Sequence, residues 1–212
     1  PEDHNNLEGE TVTVSVTDGT ATVSTTFTLY VTPVNDAPSL DDLADGETDE
    51  DTAFELQLSG ADIDGDTLTF LASVNGNANA SVDGSTLTVS PADDYNGNIE
   101  VTVIASDGQA SASGSFTLTV NPINDVPEIA SILDQTIDED TSLTLELSAS
   151  DIDGDDLIFS ASNGDSDIVV DGTTLTITPP ADHNNLEGET VTVSVTDGTA
   201  TCLLYTSDAA DE

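Results

Sequence analysis

FTLTVNPINDVP, Phe116 to Pro127, is the stretch that decides the fold. Phe116, Leu118 and Val120 alternate with Thr117, Thr119 and Asn121, the two-residue period of a half-buried strand. Pro122 and Pro127 then bracket an Asn-Asp pair. Proline fixes φ and removes a donor, so the strand runs into a stiff, extended linker. The same text, FTLYVTPVNDAP, begins 89 residues earlier at Phe27. DED at 49–51 returns at 138–140, and DIDGD at 62–66 returns at 151–155, again 89 residues on. The chain is therefore a repeat whose unit has the size of a small sandwich domain.

A longer copy extends the pattern. DHNNLEGETVTVSVTDGTAT fills residues 3–22 and recurs unchanged at 182–201, an offset of 179 or about two units. These offsets divide the chain into 1–33, the last strands of one truncated repeat; 34–121, a complete repeat; and 122–201, a repeat expected to lack its last strand. The start of the chain falls inside a repeat, so a longer array is expected around it. After DGTAT the first copy continues VSTTFTLYV, whereas the last continues CLLYTSDAADE. Residues 202–212 resemble the translation of a sequencing-library adapter and are read as non-native.

Period-two alternation recurs throughout. Val12, Val14 and Val16 share one face, as do Phe54, Leu56 and Leu58, Val101, Val103 and Ala105, and Leu143, Leu145 and Leu147. Asp-Gly pairs at 18–19, 83–84, 107–108, 171–172 and 197–198 supply turn chemistry that permits positive φ. No amphipathic helical pattern interrupts them. About seven short strands per unit predict an all-β chain of tandem Greek-key β-sandwiches.

The charge is extreme: 43 Asp and Glu against no Lys or Arg, a formal −43. Self-repulsion on this scale opposes compaction unless cations are recruited. With no basic side chain to meet a phosphate, nucleic acid and anionic membrane surfaces are excluded as partners. No run approaches the roughly 18 apolar residues of a membrane-spanning helix. Cys202 is the one cysteine, so no internal disulfide framework exists.

The acids are ordered. Each unit carries DED (Asp49, Glu50, Asp51; Asp138, Glu139, Asp140), DIDGD (Asp62, Asp64, Asp66; Asp151, Asp153, Asp155) and an Asp before glycine at a strand end (Asp18, Asp107, Asp197). The linkers add Asn35 with Asp36 and Asn124 with Asp125, and a looser cluster holds Asp93 and Asp94, Asp182, and Asp3. Clustered Asp and Asn on turns, without Cys or paired His, suit the hard oxygen shell of Ca2+ rather than zinc or copper. Solvated turn acids are the bland reading, but acids at strand ends need not return at fixed offsets. DIDGD is no EF-hand loop: its glycine is fourth, not sixth, and the twelfth residues are Ser73 and Ser162.

As a set these motifs resemble bacterial cadherin-like repeats, with an echo of animal cadherin ectodomains, over nearly all of 1–201. The resemblance implies a cadherin/immunoglobulin-like sandwich with calcium at each junction between successive repeats. It implies that Glu50 and Asp93 or Asp94, linker residues Asn124 and Asp125, and Asp151, Asp153 and Asp197 serve the second junction. Asp3, Asn35, Asp36, Asp62, Asp64 and Asp107 would serve the first. Animal cadherins place a further Asp before the Asn-Asp pair; here Pro33 and Pro122 stand there, so one or two ions per junction are expected.

Catalysis is not expected. With so many acids, close carboxylate pairs carry no glycosidase signal. His4 and His183 occupy one repeat position without a nucleophile beside them. The expected role is a calcium-stiffened extender or adhesion module of an extracellular, cell-surface adhesin, with calcium and neighbouring repeats as partners. The rival is a calcium-dependent module that binds protein or polysaccharide, or an accessory repeat of a secreted polysaccharide-degrading enzyme. Aromatics at 4% and no tryptophan argue against a sugar-stacking platform.

Overall fold

The computed structural model describes residues 6–163, 166–182 and 188–205. It divides into two compact units, Pro1–Pro122 and Ile123–Glu212. Among the described residues every regular element is a strand.

The first unit opens with a hairpin, β1 (Asn6–Thr17) and β2 (Thr22–Val31), closed by the Asp18-Gly19 turn. Its register slips between Asn6 and Glu10, and Gly9 sits there at φ 84°. A Cβ on Gly9 would lie 2.4 Å from the Thr28 methyl group, so only glycine fits the bulge.

The complete repeat follows. Its strands are β3 (Ser39–Leu40), β4 (Gly46–Asp49), β5 (Phe54–Gln57), β6 (Gly60–Ala61), β7 (Thr69–Val74), β8 (Ala78–Asp83), β9 (Thr86–Pro91), β10 (Gly97–Ser106) and β11 (Ser111–Asn121). One sheet has the order β4-β11-β10-β7, another β5-β9-β8, and β3 pairs with β6. The chain changes sheet between β4 and β5, β7 and β8, and β9 and β10, as the Greek-key expectation requires. β4 runs parallel to β11, and the other pairings are antiparallel.

The alternation in β10 and β11 decides the core. Ile99, Val101, Val103, Phe116, Leu118 and Val120 point inward against Leu58, Leu87 and Val89, all buried. Phe54 tilts against Phe116 with ring centroids 6.1 Å apart. Each such side chain contributes on the order of 1.5–3 kcal/mol by leaving water.

The second unit repeats the plan with β12 (Glu128–Ile129), β13 (Leu143–Glu146), β14 (Ala149–Ser150), β15 (Ile158–Ser162), β16 (Asp167–Asp171), β17 (Thr174–Thr178), β18 (Thr192–Thr196) and β19 (Thr201–Tyr205). Its sheets have the orders β12-β14, β13-β17-β16 and β15-β18-β19. Leu147, Leu175, Ile177 and Val193 form its buried core. The sequence reading left 122–201 without a last strand; here Thr201–Tyr205 pair with β18 in that place. Thr201, Cys202, Leu203 and Leu204 alternate out and in, so the first residues after DGTAT keep the period that a strand needs.

Candidate metal centre

Each linker folds back onto an acidic turn. In the first unit Asp36 donates its backbone N–H to Asp64 Oδ2 at 2.8 Å. The neighbouring Asn35 donates its side-chain amide to Asp107 Oδ2 at 3.0 Å and to the Asp36 carbonyl at 2.8 Å. In the second unit Asp125 N–H meets Asp153 Oδ2 at 2.8 Å, and the Asn124 amide meets Asp197 Oδ2 at 3.0 Å. The Asn-Asp pair thus spans two acidic turns that lie far apart in sequence.

Both turns are built locally. Asp62 Oδ1 accepts the N–H groups of Asp64 at 2.9 Å and Asp66 at 3.2 Å, which winds DIDGD around the first carboxylate. Asp151 Oδ1 accepts from Asp155 at 3.3 Å in the second copy. In the Asp-Gly turns, Asp107 Oδ1 takes the N–H groups of Gln109 and Ala110, both at 2.6 Å. Asp197 Oδ1 takes those of Thr199 at 2.5 Å and Ala200 at 2.6 Å. These bonds stabilise the charged form. The Ala110 N–H and then the Asn35 amide hold the Asp107 carboxyl below its ordinary value, and the Asn124 amide, followed by Ala200, does so for Asp197.

One atom in each copy is left over. Asp62 Oδ2 and Asp151 Oδ2 are buried and have no hydrogen-bond partner. A buried carboxylate oxygen in that state pays a desolvation cost that only a cation, a proton or a bound water can relieve. The chain has no Lys or Arg to supply the cation. In the second unit one oxygen from each of Asp151, Asp153 and Asp155 lies within 4.8 Å of the others. An all-oxygen set drawn from turn carboxylates and an Asn side chain fits a hard divalent cation and suits softer metals poorly.

The structure therefore brings together Asn35, Asp36, Asp62, Asp64 and Asp107 in one unit, and Asn124, Asp125, Asp151, Asp153 and Asp197 in the other. Within the first unit, Glu50 and Asp94 lie at the opposite end of β10 and β11 from Asp107, the end from which the chain enters the second linker. Glu50 is buried and donates its N–H to the Asn121 carbonyl at 2.9 Å. Asn121 ends β11, whereas Asp107 lies at the turn that begins it, about eleven residues or roughly 35 Å away along the strand. Asp94 precedes β10 at that same far end, its N–H capped by Asp51 Oδ1 at 3.1 Å. Each repeat thus has an acidic pole at either end. Asp3 lies outside the described residues.

Three participants stand outside the residues that the resemblance assigns to a junction. Asp155 joins the cluster, and its place within DIDGD was the available signal. Asp51, with its counterpart Asp140, caps the turn holding Asp94 or Asp182. Gln109 donates to Asn35 Oδ1 at 2.7 Å, which orients that amide toward Asp107. No motif marks Gln109, because the second copy has Thr199 in that place.

The fold and these paired poles define a tandem of Ig-like β-sandwich repeats. The chain belongs to the bacterial Ig domain family, whose model matches residues 35–121 and 124–204. No curated protein matches it. Among solved structures it is similar to human protocadherin-24 EC1-2, at 17% identity, 82% of this chain, 94% of that chain and a TM-score of 0.49. It is also similar to the human desmocollin-1 ectodomain, at 14% identity, 91% of this chain, 41% of that chain and a TM-score of 0.42. A third is the glycoside hydrolase family 107 endo-fucoidan hydrolase MfFcnA4, at 18% identity, 95% of this chain, 33% of that chain and a TM-score of 0.37. The chain spans about a third of the hydrolase's length. Among the described residues, no helix is long and apolar enough to cross a membrane.

Proposed function

We propose that this chain is a calcium-binding segment of an extracellular adhesin, in which the ion stiffens the linkers between repeats. The observation that carries the reading is the pair of buried, unpartnered oxygens, Asp62 Oδ2 and Asp151 Oδ2, each inside a clasped set of acids. Asn35, Asp36, Asp62, Asp64 and Asp107 would hold one ion, and Asn124, Asp125, Asp151, Asp153 and Asp197 another, with Asp155 in reach. The bound ion supplies positive charge that relieves carboxylate repulsion and desolvation. The chain's own contribution is to present the oxygens. The Asp-Gly turns keep Asp107 and Asp197 ionised, DIDGD winds its acids around one point, and the linker supplies ligands from a stiff segment.

Because the linker is part of the ligand set, ion binding locks it against the repeat that follows. A row of such locked linkers is an extender, and the role is mechanical rather than catalytic. Its partners are calcium and neighbouring repeats, with other adhesins or extracellular polysaccharide as targets of the parent protein. Calorimetric titration of calcium into the full chain tests the reading. Saturable binding is expected, with one class lost in Asp62→Asn and another in Asp151→Asn. No binding heat at millimolar calcium in the unaltered chain would refute it.

A further inference from the structure

The two linker clasps use the same acids and the same Asn-Asp pair, and one side chain beside them differs. DIDGD is identical in both copies, and each Asp-Gly carboxylate accepts the same two backbone N–H groups of its own turn. Asn35 Nδ2 and Asn124 Nδ2 each stand 3.0 Å from that carboxylate. Asp36 and Asp125 each give their N–H to the DIDGD turn at 2.8 Å. The second residue after the Asp-Gly acid is Gln109 in the first copy and Thr199 in the other. Gln109 Nε2 donates to Asn35 Oδ1 at 2.7 Å. Asn124 makes its bonds through Nδ2, and among the described residues nothing donates to its Oδ1.

The difference falls on the atom that a cation needs. An amide ligates a hard cation through its oxygen, because its nitrogen is a donor only. In both copies it is the nitrogen that faces the carboxylate. The amide of Asn35 or Asn124 therefore has to turn over before its oxygen can join the acids. Losing the bond between Nδ2 and the carboxylate is common to both copies. Turning Asn124 over otherwise gives up only contact with water, since that residue is exposed. Turning Asn35 over also breaks the bond from Gln109, and a hydrogen bond within the protein is worth slightly more than the one to water that replaces it.

We propose, resting on the calcium reading above, that Gln109 sets the calcium threshold of the first clasp. It holds Asn35 in the orientation that does not ligate, so this site fills at higher calcium than it would with threonine in that place. The second clasp has Thr199 and lacks the latch. One oxygen from each of Asp151, Asp153 and Asp155 is also drawn within 4.8 Å of the others there, which favours the same order of filling. The two linkers then stiffen in turn as calcium rises, and one position of the repeat tunes the step.

The test is calcium titration of the full chain followed by amide NMR. The Ala110 and Ala200 N–H signals report the two sites separately, because each is bonded to the acid of its own turn. Gln109→Thr should tighten the Ala110 curve by roughly two- to fivefold, the lower part of what one hydrogen bond supplies on balance, and leave the Ala200 curve in place. Thr199→Gln should weaken the Ala200 curve by a similar factor and leave the Ala110 curve in place. Both positions are exposed, and a side chain that merely braced the turn would weaken the first site on removal, so the sign of the change separates the two roles. Curves that do not move in either variant, or a first site weakened by Gln109→Thr, overturn the proposal while calcium binding stands. No calcium-dependent shift at either signal in the unaltered chain overturns the calcium reading itself, and the threshold with it.

Discussion

Asp125 gives its backbone N–H to Asp153 Oδ2 at 2.8 Å, joining a linker residue to an acid 28 residues further along. Asp36 makes the same bond to Asp64 at the same length in the other unit. A bond whose acceptor is ionised is shorter and stronger than a neutral one. The path of the linker is thereby coupled to the charge of the turn it crosses, and anything that binds or neutralises that charge acts on the linker.

Calcium is expected to raise the melting temperature. An ion bound only by the folded state adds about 2.7 kcal/mol at a hundredfold excess over its dissociation constant. Scanning calorimetry with calcium and then with chelator measures the difference. Asp62→Asn should shrink the shift for the first unit's transition and Asp151→Asn for the second's. Equal shifts in wild type and both variants would place the ion elsewhere.

Acid should weaken the fold through Asp107 and Asp197. Both carboxyls are held below their ordinary value of 3.8, so the folded state favours the ionised form. That stability is fully present above the unfolded value and is lost as pH falls through the lower folded value. In chelator, melting temperature should drop as pH falls from about 5 towards 2, where these groups protonate. Asp107→Asn should lower stability at neutral pH and flatten that limb; an unchanged acid limb would remove Asp107 from the account.

Asn124 holds Asp197 down more strongly than any other contact, whereas at Asp107 the Ala110 N–H comes first and Asn35 second. Asn124→Ala should therefore raise the Asp197 pKa, read by carbon-detected NMR titration of the side chain. Asn35→Ala should raise that of Asp107. A carboxyl whose pKa stays put when its Asn partner is truncated would contradict the hydrogen-bond assignment.

Two leucines at one repeat position should behave unlike each other. Leu118 is fully buried in β11, and Leu118→Ala should cost about 2–5 kcal/mol in urea unfolding of the first unit. Leu29, its counterpart in β2, is 45% exposed, and Leu29→Ala should stay within about 0.5 kcal/mol at dilute concentration. A large loss at Leu29 in the monomer would mean that the hairpin face is already covered.

Much of the fold was legible because sheet geometry writes a period of two into the residues. Val101, Val103, Phe116, Leu118 and Val120 could be marked as inward from alternation alone, and the Asp-Gly pairs marked the turns between strands. The same alternation in Val12, Val14 and Val16 promised a buried face that the hairpin lacks. Periodicity reports which side of a strand is apolar, and it is silent on whether a second sheet covers that side.

The acids divide similarly. Fixed offsets identified Asp62, Asp64, Asp107 and their copies as one recurring set, and sequence alone sufficed for that, because a repeat preserves spacing. Sequence also settled the absence of any basic side chain to balance the charge. Within the first unit, tertiary structure decided which of these residues meet at which end: Asn35 reaches Asp107 across 72 residues, while Glu50 and Asp94 lie at the opposite end of β10 and β11. Strand direction and register make that choice, since a contact between distant residues depends on how whole strands are stacked and not on any local pattern.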